Sequence, residues 1–102
     1  MKFRYENFKI DESDFYEIEV CLPKTTLLIV GNDIGYFMCG ALDVDMFNAP
    51  HLVKRGVING RAVGVKTIEE LLDAKLEKVS ICAKDLGIIE GMVVREALKI
   101  LI

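Results

Sequence analysis

The stretch Thr25-Thr26-Leu27-Leu28-Ile29-Val30, followed by Gly31-Asn32-Asp33-Ile34-Gly35 and then Tyr36-Phe37-Met38-Cys39, decides the architecture. A continuous run of β-branched residues and leucine reads as a strand covered on both faces, so Thr25–Val30 is expected at the centre of a sheet. Gly31 to Gly35 is rich in residues that tolerate positive φ. It turns the chain back into Tyr36–Cys39 and predicts a hairpin.

Upstream of this core, Asp14 to Leu22 alternates, with Tyr16, Ile18, Val20 and Leu22 on one face and Glu17 and Glu19 on the other. That period of two marks a strand half in contact with an apolar layer. Phe3 to Ile10 alternates less regularly, and Asp11, Glu12, Ser13 and Asp14 between the runs favour a turn. Residues 1–22 therefore read as an antiparallel hairpin whose Tyr16-to-Leu22 face needs a cover. Pro23 closes it.

Downstream, Asp43 to Phe47 fits a short helix with Asp43 as N-cap, ended by Asn48 and Pro50. Val53 to Lys66 carries Gly56, Gly60 and Gly64 among small and branched residues, which suggests one or two short strands. Thr67-Ile68-Glu69-Glu70 has the capping-box pattern, so a helix is expected from Ile68 to about Ala74. Leu76 to Ala83 alternates like a strand. Glu90 to Leu101 carries the stripe Val93, Val94, Ala97, Leu98 and Leu101, which predicts a C-terminal helix. The sum is an α+β (mixed α/β) fold. An N-terminal antiparallel β region leads into a mixed sheet packed with two or three short helices.

No repeat, low-complexity run or linker divides the chain, so 1–102 is expected to be one domain. An apolar fraction of 52% is high for a body of this size, which has much surface and little interior. That excess, the aromatic hairpin and the apolar run Leu98 to Ile102 point to a homo-oligomer, with Phe3, Tyr5, Tyr16, Ile18 and Val20 as candidate assembly residues. A net charge of −3 with no basic run argues against nucleic acid. No apolar stretch is long enough for a membrane span. Cys21, Cys39 and Cys82 are an odd, scattered set without a Cys-x-x-Cys pair, as expected of reduced thiols in the cytoplasm. His51 is the one histidine, so a metal site has few ligands to draw on and no cofactor is expected.

The words Leu22-Pro23-Lys24-Thr25-Thr26-Leu27-Leu28, Gly35-Tyr36-Phe37-Met38-Cys39-Gly40-Ala41-Leu42-Asp43 and Gly60-Arg61-Ala62-Val63-Gly64-Val65-Lys66-Thr67 resemble the YunC-like family of small bacterial and archaeal proteins. The likeness continues through Ile68-Glu69-Glu70-Leu71-Leu72 and Gly87-Ile88 to Gly91-Met92. That family is a domain of unknown function. The resemblance implies an α/β fold whose N-terminal β region serves assembly, usually into tetramers, and it implies no established reaction.

A few residues could carry chemistry. Cys39, at a strand end beside Gly40, could be a nucleophile, but a free cysteine is more often a small buried hydrophobe and no evident base accompanies it. Asp43 and Asp45 have a spacing that could share a cation, though helix capping explains Asp43 more simply, and of the two only Asp43 falls in the family words. Gly60 to Thr67 looks like a phosphate loop, but one residue between Gly64 and Lys66 breaks the required spacing, and Thr67 belongs to the cap. Binding of a small anion by Arg61, Gly64 and Lys66 remains open. Two readings follow. One is an oligomer with no catalytic constellation. The other is a small-molecule or anion-binding protein, or an enzyme, with a pocket around Cys39, Asp43, Arg61 and Lys66.

Overall fold

Tight turns lay out the first half of the sheet. In the computed structural model, which describes residues 2–41 and 44–102, Asp11 and Glu12 take φ of 50° and 70°. Two successive left-handed residues match the twist of the strands they join. Their turn connects β1 (Lys2–Ile10) to β2 (Ser13–Leu22) in unbroken register, from Lys2 opposite Cys21 to Ile10 opposite Ser13. Pro23 and Lys24 then form a second tight turn, with Lys24 at φ 64°, into β3 (Thr25–Gly31). In the third turn the Asn32 side chain accepts from the N–H groups of Ile34 and Gly35 at 2.9 and 3.2 Å and donates to the Leu101 carbonyl at 2.9 Å. That amide returns the chain into β4 (Tyr36–Cys39) and ties the turn to the C-terminal helix.

The sheet is completed by β5 (Asn59–Ala62) and β6 (Lys78–Val79), giving six strands in chain order, antiparallel throughout except for the parallel pair β4 and β5. Between β4 and β5 lie a 3₁₀ turn, Val44–Asn48, and α1 (Pro50–Val53). Three further helices follow, α2 (Ile68–Asp73), α3 (Ile81–Asp85) and α4 (Val94–Ile100). The fold is α+β, as the sequence predicts, with a mixed sheet and four short α-helices among the described residues.

Residues opposite one another in adjacent strands point to the same face. Register therefore assigns Phe15, Leu28, Val30, Phe37, Cys39, Ala62 and Val79 to one face, and all of them are buried. That inner face is covered by Ile68, Leu71 and Leu72 of α2 and by Val94, Ala97 and Leu98 of α4, forming one apolar core. Each buried leucine, isoleucine or valine among them stabilises by about 1.5–3 kcal/mol. Phe8 stacks on Phe15 at 5.8 Å and extends the core toward the hairpin.

Several local expectations are corrected. β3 is central but covered on its inner face alone, so Leu27 and Ile29 on the other face stay half-exposed. Pro50 opens a helix instead of ending one, because its fixed φ suits a first helical turn and its missing N–H has no partner there to lose. Val53–Lys66 holds one short strand, within the one or two expected, flanked by turns at Gly56 and Gly64 with φ of 71° and 78°. The strand expected over Leu76–Ala83 stops at Val79 because the Ser80 side chain caps α3. The C-terminal helix begins at Val94, after a turn at Gly91 (φ 89°) and a bridge of Val93 to Lys75. Asp43, read as an N-cap, lies outside the described residues. No helix among the described residues is long and apolar enough to cross a membrane.

Candidate functional site

Cys39 pairs with Ala62 of β5 and points into the core, where its residue is 6% exposed. The Leu28 N–H donates to its Sγ at 3.5 Å, and the thiol donates to the Thr26 carbonyl at 3.6 Å. This is the setting of a packed thiol held between backbone groups. Arg61 lies one residue before Ala62 and so points to the opposite face of the sheet, in register with Met38 and Lys78. Its guanidinium pairs with Glu77 at 2.9 Å. Beside it Lys78 binds Asp45 at 2.7 Å, which raises the lysine pKa and lowers that of the Asp45 carboxyl, chiefly through the hydrogen bond between them.

Gly64 sits in an exposed turn. Lys66 is exposed, and its backbone N–H donates to the Glu70 carboxylate at 2.7 Å while Glu70 N–H donates to the Thr67 hydroxyl at 3.1 Å. The predicted capping pattern is thus present, with the glutamate reaching one residue further back than a standard box requires. Lys66 borders an open depression of about 360 Å³ with Lys24, Thr25, Thr26 and Val65. The pocket expected around Cys39, Asp43, Arg61 and Lys66 is not assembled by the described residues, because strand parity sends Cys39 and Arg61 to opposite sides of the sheet. Asp43 is outside the described residues. Among the described residues no group of His, Cys, Asp and Glu could hold a metal ion.

Two other surfaces stand out. On the inner face, where the hairpin extends past the helices, a cleft of about 640 Å³ is lined by residues including Arg4, Glu17, Glu19, Glu69, Asp73 and Arg95. Arg4 carries this region's charge balance, with Glu17 at 2.6 Å, Glu6 at 3.0 Å and Glu19 at 3.7 Å. The hydrogen bond to Glu17 raises its already high pKa.

The second surface is the outer face of β1 to β4. Register brings Phe3, Val20 and Leu27 into one row, Tyr5, Ile18, Ile29 and Met38 into the next, and Tyr16, Gly31 and Tyr36 into a third. In the single chain the β1, β2 and β3 side chains of these rows stay partly or fully exposed. Phe3 and Tyr5 are 63% and 52% exposed, and the remainder are mostly half-buried against one another. Tyr5 stacks on Tyr16 at 6.2 Å, and burial, followed by the neighbouring Tyr36, raises the Tyr16 phenol pKa. At Gly31 a Cβ would collide with the Tyr36 backbone at 2.7 Å, so only glycine allows β4 to close against β3 there.

Phe3, Tyr5, Tyr16, Ile18 and Val20, the hairpin residues singled out from the sequence, therefore lie on one face. Sequence reasoning missed Leu27, Ile29, Tyr36 and Met38 as parts of the same surface. Their signal was parity with Ile18 and Val20, and it becomes readable only once the strand register is known.

Comparison with known proteins adds a lineage. Residues 38–101 match the family model described as a domain of unknown function, DUF1805. The uncharacterised protein YunC of Bacillus subtilis (strain 168) is 55% identical over 89 residues, which span 87% of each chain. A crystal structure of a protein of unknown function from Thermoplasma acidophilum superposes with a TM-score of 0.85 at 30% identity, covering 96% of this chain and 91% of that one. The inner-face core, the parallel β4 and β5 pair and the helices from α2 onward all fall largely within the matched segment, and the chain belongs to the YunC-like DUF1805 family.

Proposed function

We propose that the protein works as a homo-oligomer, of four copies as the family resemblance implies, in the reducing cytoplasm. Its open outer sheet face is the assembly surface. The observation that carries this reading is the largely apolar surface over four strands, from exposed Phe3 and Tyr5 to buried Met38. Contiguous apolar patches of that kind are rare on soluble monomers and mark interaction sites. A sheet with one apolar face left open finds its natural cover in a second such sheet, packed about 10 Å away. The free state of Cys21, Cys39 and Cys82 suits a reducing compartment.

Assembly, in this reading, is what the molecule contributes. The thiol most suggestive of chemistry, Cys39, is used up in packing. Native mass spectrometry of the wild type and of an Ile18→Asp variant tests the proposal. The wild type is expected as a multiple of the chain mass, and the variant, with a carboxylate in the middle of the face, as smaller species. A wild type that stays monomeric at micromolar concentration overturns it.

A further inference from the structure

Lys9, Lys78, Lys84 and Lys99 each reach a carboxylate within 3.5 Å. Lys24 and Lys66 have no ion pair among the described residues, yet they come from distant parts of the chain to one depression of about 360 Å³. Its remaining lining is Thr25, Thr26 and Val65, with no acid. Glu70, a carboxylate that touches this segment, is turned to the Lys66 backbone N–H.

Two further features set this depression apart from an ordinary lysine-bearing surface. Lys24 holds φ at 64°, a left-handed backbone that glycine adopts freely and lysine only with strain. Strain kept at one residue points to a use for its side chain. The depression also lies at the end of the sheet where β3 begins, at Thr25, and where the parallel strands β4 and β5 end, at Cys39 and Ala62. Lys66 sits on the connection from β5 to α2. Open sheets with parallel strands bind ligands outside the carboxyl ends of those strands, where the strand arrangement changes direction. Here β4 is that strand, antiparallel to β3 and parallel to β5.

We propose that Lys24 and Lys66 together hold a phosphate dianion in this depression, as the terminal group of a small phosphomonoester. Two ammoniums match its two negative charges, and lysine serves phosphate as a point charge. The hydroxyls of Thr25 and Thr26 supply donors for further oxygens. The volume falls at the lower end of the roughly 300–1,000 Å³ of small-molecule sites. That leaves room beyond one oxyanion for an organic part, with half-buried Val65 to meet it. Free phosphate shares the chemistry of the headgroup and lacks that part. Arg61, the other cation suggested by the sequence for an anion, faces the outer side of the sheet and is engaged with Glu77, so Lys24 takes its role. None of these residues belongs to the outer apolar rows, and the inference does not depend on assembly.

Isothermal titration calorimetry of the intact protein with glycerol phosphate and with inorganic phosphate, at fixed ionic strength, tests the site. The wild type is expected to bind both saturably and the ester more tightly, with affinity falling below about pH 6, where the ester loses its second charge. Lys24→Met and Lys66→Met are each expected to weaken binding roughly tenfold while leaving the native mass unchanged. Lys24→Gly removes the same ammonium together with the backbone strain, and is expected to bind as poorly as Lys24→Met yet melt higher than the wild type. No saturable binding at millimolar ligand, equal competition by chloride, lysine variants that bind like the wild type, or a Lys24→Gly variant that melts lower overturns the site. Inorganic phosphate that binds as tightly as the ester overturns the phosphomonoester and leaves free phosphate as the ligand.

Discussion

At the scale of single residues, strand parity decides what the suggestive side chains can do. Cys39 and Arg61 neighbour one another across β4 and β5 yet face opposite ways, so a thiol reagent should discriminate sharply. Cys21 and Cys82, both part-exposed, are expected to react in the native protein, and Cys39 only as fast as the core opens. Cys39→Ala should cost about 1 kcal/mol and leave the assembled mass unchanged. Fast native modification of Cys39 would mean that the buried placement is wrong. The Asp45–Lys78 pair gives a pH signature. The Asp45 carboxyl is held below its ordinary value of 3.8, so what the pair contributes is present above that value and is lost as the pH falls through the lowered one. Carboxyl NMR titration should find a depressed Asp45 midpoint that rises in Lys78→Met, while stability at neutral pH barely changes because the pair is exposed. Of this region the sequence shows the residue types well. It hides which way a four-residue strand points, since β4 takes its parity from pairing with β3 and not from its own pattern.

At the scale of elements, two hydroxyl caps differ in consequence. Thr67 caps α2 with one exposed bond to Glu70 N–H. Ser80 is fully buried. Its hydroxyl accepts from Ala83 N–H at 3.2 Å and Asn59 N–H at 3.1 Å and donates to the Val57 carbonyl at 2.9 Å, joining α3 to β5. Thr67→Ala should therefore cost about 1 kcal/mol. Ser80→Ala, which also strands buried backbone groups, should cost about 2–4 kcal/mol. Urea denaturation of the two variants separates the cases, and equal losses would deny Ser80 its bridging role. The same residue explains where sequence reading stopped. The hairpins, α2 and the apolar stripe of α4 are set by local periodicity and turn chemistry, which a sequence displays openly. At Val79-Ser80-Ile81 the alternation continues as if in a strand, and only the distant partners Asn59 and Val57 reveal that Ser80 ends β6 and starts a helix.

At the scale of the whole molecule, a sheet whose helices α2 and α4 cover the inner face leaves the outer side of β1 to β3 to be covered from outside, and heat denaturation can tell whether it is. Ile29 sits amid that outer face, half-exposed in the single chain. If the face meets solvent in the working protein, Ile29→Asp is an ordinary surface change, within about 0.5 kcal/mol. If a second copy covers it, the substitution puts an unpaired carboxylate into an apolar interface, and the penalty is several kcal/mol. Mass action adds an independent sign. Assembly stabilises the native state in proportion to the logarithm of protein concentration, about 1.4 kcal/mol for each tenfold rise. For a cooperative unit of roughly 200 residues that corresponds to about 2–4 °C per kcal/mol. Calorimetry across a hundredfold range of concentration is therefore expected to show the wild-type Tm climbing, and the Ile29→Asp variant melting lower with a Tm that climbs less steeply. A flat wild-type Tm with an unperturbed variant would mean that the outer face works exposed, and the apolar rows of β1 to β4 would then need a partner other than this chain.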